Sequence, residues 1–155
     1  MLNNKRNAFT MIELVFVIVV IGILAAIAIP KFAATRDDAQ MAKGRSDVAA
    51  IRAAIVSERQ GRLMRGESTY ITTLDHDAAT PSNNGDILFD NNGTATNTLL
   101  QYGIASGDTN GHWRKTAANT YKFKILNADT QFDYNITGGL FTCTAGVGSC
   151  DALTN

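Results

Sequence analysis

The chain has 155 residues, fourteen basic and fourteen acidic side chains, a formal net charge of zero and two cysteines. With its apolar N-terminal run set aside, the residues from Lys31 onward are the size of one small domain with a single core, which argues against a multi-domain enzyme. The neutral balance, without an acidic or basic tail, gives no sign of a nucleic-acid partner or an acidic substrate.

The first predicted element lies in NAFTMIELVFVIVVIGILAAIAIPKF, preceded by Lys5 and Arg6. Leu14 to Ile29 are sixteen uncharged residues, and counting back across Glu13 to Phe9 gives twenty-one. At 1.5 Å per residue that is about 31 Å of helix, enough to span a bilayer. Glu13 is the anomaly, because a carboxylate inside such a span costs a few kcal/mol to insert and reads as functional. The sequence shows no partner for it within the helix.

Beyond Pro30, the residues Phe32, Met41, Val48, Ile51 and Ile55 continue an apolar stripe at helical spacings. The pattern predicts that the helix runs on, amphipathic, to about Arg59 and ends at Gly61 and Gly66. Arg59, Arg62 and Arg65 then sit near the negative end of the helix dipole, where capping and solvation explain them. A DNA contact is the sharper alternative, but it lacks a basic face.

From Tyr70 onward lie nine of the twelve aromatic residues, among Thr, Asn and Gly, a composition that favours strands. Residues 80–97, rich in Asn, Gly and Asp, read as surface loop. In TYKFKIL the residues Tyr121, Phe123 and Ile125 share one face, and in QFDYNIT so do Phe132, Tyr134 and Ile136. The turn NADT, residues 127–130, joins the two as a hairpin. Leu140 and Phe141 open a further strand, with LLQYGI or the Trp113 segment as an earlier one. An antiparallel sheet with one apolar face needs a cover, and the stripe on the long helix supplies it, so the expected fold is α+β.

Cys143 and Cys150 bound the short loop CTAGVGSC. A disulfide in an oxidising compartment is the natural reading, with two free thiols as the alternative. A metal site is weaker still, since only His76 and His112 could add imidazole ligands. No nucleophile elbow, phosphate loop or metal-spaced cluster accompanies either histidine, so no enzyme is expected. Two sequons, NGT at Asn92 and NIT at Asn135, each follow an aspartate by two residues, Asp90 and Asp133, and are candidate glycosylation sites. The first, in the presumed loop, is the more accessible by sequence.

The stretch AFTMIELVFVIVVIGILAAIAIPKF resembles the N-terminus of the type IV pilin superfamily, which includes type II secretion and competence pseudopilins. The resemblance covers Lys5 to about Phe32. It implies a leader over residues 1–8, a membrane-spanning and filament-core helix over 9–30, and a periplasmic domain over 31–155. It also implies cleavage of the Ala8–Phe9 bond by a prepilin peptidase and N-methylation of Phe9; Ala8 stands where the family usually has glycine. Lys5 and Arg6 would hold that end in the cytoplasm. A cytoplasmic ATPase and an inner-membrane platform protein would lift subunits into a helical filament of self and related pilins. There Glu13 would pair with the Phe9 amine of a neighbouring subunit, and Gly22 and Pro30 would bracket a stretch that loosens on assembly.

Whether such a filament is a pilus, a secretion pseudopilus or a transformation pilus stays open at this level. No cofactor is expected; DTNG at Asp108–Gly111 and DNNG at Asp90–Gly93 each hold half of a calcium-loop pattern, and a turn explains them better. The competing function is a secreted soluble periplasmic binding protein, with an ordinary signal peptide cut after Ala28. That alternative leaves Glu13 unexplained.

Overall fold

The computed structural model describes residues 9–75, 80–90 and 99–154, without the side chains at 33 and 34. The chain divides into two compact units, Met1–Arg36 and Asp37–Asn155, and the boundary falls inside helix α1, Met11–Met64. In the first unit the helix is apolar all round and runs unbroken through Pro30. Its side chains from Phe9 to Phe32 are almost all exposed, and the segment is long and apolar enough to cross a membrane. Phe32, 73% exposed, does not belong to the buried stripe expected of it.

In the second unit that stripe is real but shorter. Val48, Ile51 and Ile55 are buried and Met41 is partly so. The helix passes Gly61 and ends about one turn later than expected. Gly66, at φ 84°, takes the left-handed position; its N–H donates to Leu63 C=O (3.0 Å) and the Glu67 N–H to Arg62 C=O (2.9 Å). This is a Schellman cap, in which a residue without Cβ closes the orphan carbonyls. Arg62 and Arg65 each pair with Glu58 and Glu67, and the Arg59 guanidinium lies 4.4 Å from the Tyr70 ring centroid. All three arginines are thus engaged within the cap region.

The strands that follow are β1, Ile87–Leu88; β2, Ile104–Ala105; β3, Trp113–Ala117; β4, Thr120–Ile125; β5, Ala128–Asn135; and β6, Leu140–Cys143, before a short helix α2, Cys150–Thr154. The first two form a small antiparallel pair, and the other four form a sheet in the order β3-β4-β5-β6, antiparallel throughout. The fold is α+β, a helix packed on antiparallel sheet. The β4–β5 hairpin is tighter than expected. Ile125 pairs with Ala128, and the turn is Leu126–Asn127, both at positive φ as a two-residue primed turn requires, so residues 128–130 of NADT are strand. Tyr121, Phe123, Ile125, Phe132 and Tyr134 all face the core. Ile136 does not: β5 ends at Asn135 and Ile136 is exposed.

The described part of the expected loop, residues 80–90, holds a strand. The apolar triplet ILF within them supplies β1, and Leu88 and Phe89 are fully buried. Phe89 packs edge-on against Trp113 and Phe141 and tilted against Tyr121, at ring-centroid distances of 4.7–5.9 Å. Three apolar residues in succession amid polar ones were the available signal; the surrounding composition hid it.

Beneath Phe89 lies a buried polar cluster. Asp75 Oδ1 accepts from the Phe89 N–H (2.7 Å), and Oδ2 accepts from the Tyr121 hydroxyl (2.6 Å) and Lys115 Nζ (2.9 Å). Phe89 has φ 62°, a conformation that a bulky residue adopts only when its surroundings impose it. Burial, then the Asp75 charge, pushes the Tyr121 hydroxyl far above its ordinary pKa, so it serves only as a donor.

Helix and sheet meet closely at Gly44. A Cβ there would lie 2.6 Å from Leu153 Cδ2 and 2.7 Å from Phe123 Cε1. Trp113 Nε1 donates to Asp47 Oδ2 (3.0 Å), Arg52 Nε to Phe141 C=O (3.0 Å) and Arg45 Nε to Ala152 C=O (2.7 Å). These bonds fix the register of helix against sheet with polar groups that flank the apolar stripe.

Candidate functional site

The N-terminal end of α1 is built by four residues. Thr10 is the cap: its C=O accepts from the Leu14 N–H (3.2 Å), the first bond of the helix, and its hydroxyl accepts from the Glu13 N–H (3.3 Å). Glu13 reaches back, and its Oε2 accepts from both the backbone N–H and the hydroxyl of Thr10, each at 2.9 Å. This reciprocal pair in TMIE is a capping box, which satisfies orphan donors at the positive end of the helix. The sequence signal, Thr followed three residues later by Glu before an apolar run, was present, and Glu13 does have an intrachain partner at the helix start.

The capping box leaves a carboxylate on an apolar surface. Glu13 is exposed, its Oε1 takes no hydrogen bond and no cation pairs with it among the described residues. Phe9 is 87% exposed just ahead of the cap. Ala8 lies outside the described residues. Gly22 has open space where a Cβ would stand, and Pro30 is exposed within the helix. Among the described residues the site is therefore a helix end with one acceptor oxygen unused, at the head of an exposed apolar surface.

The other candidate residues fall in the second unit. Cys143 and Cys150 form the expected disulfide, with Cα atoms 5.7 Å apart. Cys143 sits at the end of β6 and Cys150 starts α2, so the bond ties the last helix to the sheet edge. Among the described residues no group of three or more His, Cys, Asp or Glu could hold a metal ion. In DTNG the Asp108 carboxylate pairs with Lys124 and Arg114, whose hydrogen bond and charges hold it below the usual carboxylate range. His112 Nδ1 lies 3.0 Å from the Thr109 hydroxyl, closing the same turn. His76 and Asn92, and with Asn92 most of DNNG, lie outside the described residues. Asn135 is exposed at the end of β5.

Comparison with known proteins finds similarity confined to part of the chain. The family described as "Prokaryotic N-terminal methylation motif" matches residues 3–29, a span that holds the capping box, Gly22 and most of the apolar run. The type IV narrow pilus major component PilA5 of Thermus thermophilus is 48% identical over 50 residues, which cover 32% of this chain and 43% of that protein. The type II secretion system core protein G of Pseudomonas aeruginosa is 36% identical over 55 residues, 36% of this chain and 39% of that protein. The matched region is thus less than half the length of either relative, and no solved structure matches the chain significantly. The N-terminal region thus carries a prokaryotic N-terminal methylation motif and is similar to stretches of a type IV pilus component and of a type II secretion core protein.

Proposed function

We propose that the chain is the structural subunit of a type IV pilus-like filament, cut between Ala8 and Phe9 by a prepilin peptidase and N-methylated on Phe9. In this reading residues 9–30 first anchor the subunit in the inner membrane and then pack with the same helix of other subunits, while residues 31–155 form the periplasmic domain. The observation that carries it is the exposed apolar helix headed by Glu13, whose Oε1 is unused among the described residues. An apolar surface of that length needs either lipid or like helices around it.

Cleavage before Phe9 creates an amine four residues from Glu13. Among the described residues Thr10 takes Oε2, so Oε1 is the oxygen offered to the Phe9 amine of a neighbour. Opposite charges, each costly alone among apolar helices, become tolerable as a pair and set the axial register between subunits. Gly22 and Pro30 supply the two places where the helix can loosen as it packs, one by backbone freedom and one by a missing donor. The two relatives are named as components of a pilus and of a secretion system, and the reading covers both kinds of filament.

N-terminal sequencing and intact mass of the membrane-extracted protein test this directly. A chain beginning at N-methylated Phe9 is the expected result, with Ala8→Leu blocking the cut. A chain beginning at Ile29 would overturn the reading and support a secreted soluble protein instead.

A further inference from the structure

We propose that Asn135 is an acceptor for N-linked glycan transfer. The sequence favours Asn92 over Asn135, because Asn135 falls in a strand pattern. The structure keeps Asn135 in a strand but places it at the exposed end. Asn135 is the last residue of β5, and residues 135–138 are all exposed. Its Oδ1 accepts from the Thr137 N–H (2.9 Å) and the Gly138 N–H (3.1 Å), while its Nδ2 has no hydrogen bond among the described residues. The sequon Asn-Ile-Thr is therefore folded back as an Asx turn that fixes the amide oxygen inward and leaves the nitrogen to solvent.

Three further features bear on the site. Asp133 stands two residues earlier on the same strand face, partly buried, its carboxylate accepting from Thr120, Gln131 and Thr144. The turn rests on an anchored base: the Tyr134 hydroxyl donates to Ile71 C=O (2.9 Å), the Gly139 N–H donates to Asn135 C=O (2.8 Å), and Gly139 takes φ 65° against the Tyr70 ring, where a Cβ would lie 2.2 Å away. The acceptor is thus held at a fixed position on the surface. Two N–H donors on Oδ1 also draw electron density toward oxygen and make an Nδ2 proton easier to lose.

The donor would be an oligosaccharide on a polyprenyl diphosphate. Nδ2 bonds to the anomeric carbon, the anomeric C–O bond to the diphosphate breaks, the polyprenyl diphosphate leaves with the electron pair, and the Nδ2 proton goes to a base of the transferase. The Thr137 hydroxyl, exposed beside Asn135, completes the recognised triplet. The proposal rests on export of this domain.

The test uses protein extracted from membranes of its native cells. Trypsin cuts after Arg114 and Lys124, so the peptide that begins at Ile125 carries Asn135 and separates it from Asn92. The expected result is a sugar mass increment on that peptide, localised to Asn135, retained in Thr137→Ser and lost in Thr137→Val. Unmodified peptide alone from wild-type protein would overturn the proposal, as would an increment that survives Thr137→Val. A chain that begins at Phe9 yet carries no sugar at Asn135 would reject the acceptor and leave the filament reading intact.

Discussion

Asp75 Oδ2 lies 2.9 Å from Lys115 Nζ, with the Asp75 side chain fully buried and that of Lys115 nearly so. The same carboxylate holds the strained backbone of Phe89 and the hydroxyl of Tyr121, so one residue ties the segment before β1 to two strands of the larger sheet. Asp75→Ala leaves a buried ammonium without a counter-charge, and such a break costs about 3–5 kcal/mol. Denaturant unfolding followed by fluorescence of Trp113, the single tryptophan and fully buried, measures it. The double variant Asp75→Leu with Lys115→Met is expected to be less destabilised than Asp75→Ala, because no charge is stranded.

Glu13 combines a cap and a charge, and two variants separate them. Glu13→Gln keeps an acceptor for the Thr10 donors, whereas Glu13→Val removes both functions. If the neighbour's Phe9 amine is the second partner, both variants are cut normally and neither assembles, since stranding that amine costs about 3–5 kcal/mol per subunit. Sheared filament compared with the membrane pool is the measurement. Filaments from Glu13→Gln at wild-type yield would assign Glu13 to helix capping alone.

Gly44 is where helix and sheet touch most closely. Gly44→Ala gains about 1 kcal/mol of helix propensity. It also forces a methyl into Phe123 and Leu153, an overpacking cost of about 1–3 kcal/mol. The overpacking wins because the Phe123 ring is fully buried and cannot swing away. Gly44→Ala is therefore expected to lower the unfolding midpoint, with partial rescue by Leu153→Ala.

The disulfide closes a loop with a sequence separation of seven. Loop entropy assigns it about 2–3 kcal/mol. Cys143→Ser with Cys150→Ser is expected to lose that amount and to raise amide exchange first in α2, which the bond tethers and whose Leu153 completes the core. Equal exchange in both forms would show that Leu153 alone anchors the helix.

Acid sensitivity has a definite sign. Asp108 is held low by Lys124 and then Arg114; for Asp133, burial pushes upward but is outweighed by bonds from Thr144, Thr120 and Gln131. Lowered carboxyl groups stabilise the fold above the unfolded value of about 3.9, and that contribution is lost as pH falls through their folded values. Burial raises Asp47 against the Trp113 bond and the Lys43 charge, so its protonation favours the folded state as pH falls. Asp133→Asn is expected to flatten the acid limb of the stability curve and Asp47→Asn to steepen it.

The sequence alone determined the features that depend on local pattern. Twenty-one residues from Phe9 to Ile29 with one charge define a membrane-length helix whatever surrounds it, and the alternation in TYKFKI places Tyr121, Phe123 and Ile125 on one face by the two-residue repeat. Cys143 and Cys150 were readable as a pair for the same reason, nearness along the chain. Tertiary structure decided what depends on distant contacts. Phe89 looked like loop because its neighbours are polar, and it became the centre of an aromatic cluster because Asp75, fourteen residues away, binds its N–H. Gly44 carried no signal, since only a facing Phe123 and Leu153 make a Cβ intolerable there. Asn135 is the strand residue its pattern suggests, but only the structure shows it to be the last of β5 and exposed, because strand ends are set by pairing across the sheet, here Asn135 with Leu140, which one strand's own pattern does not contain.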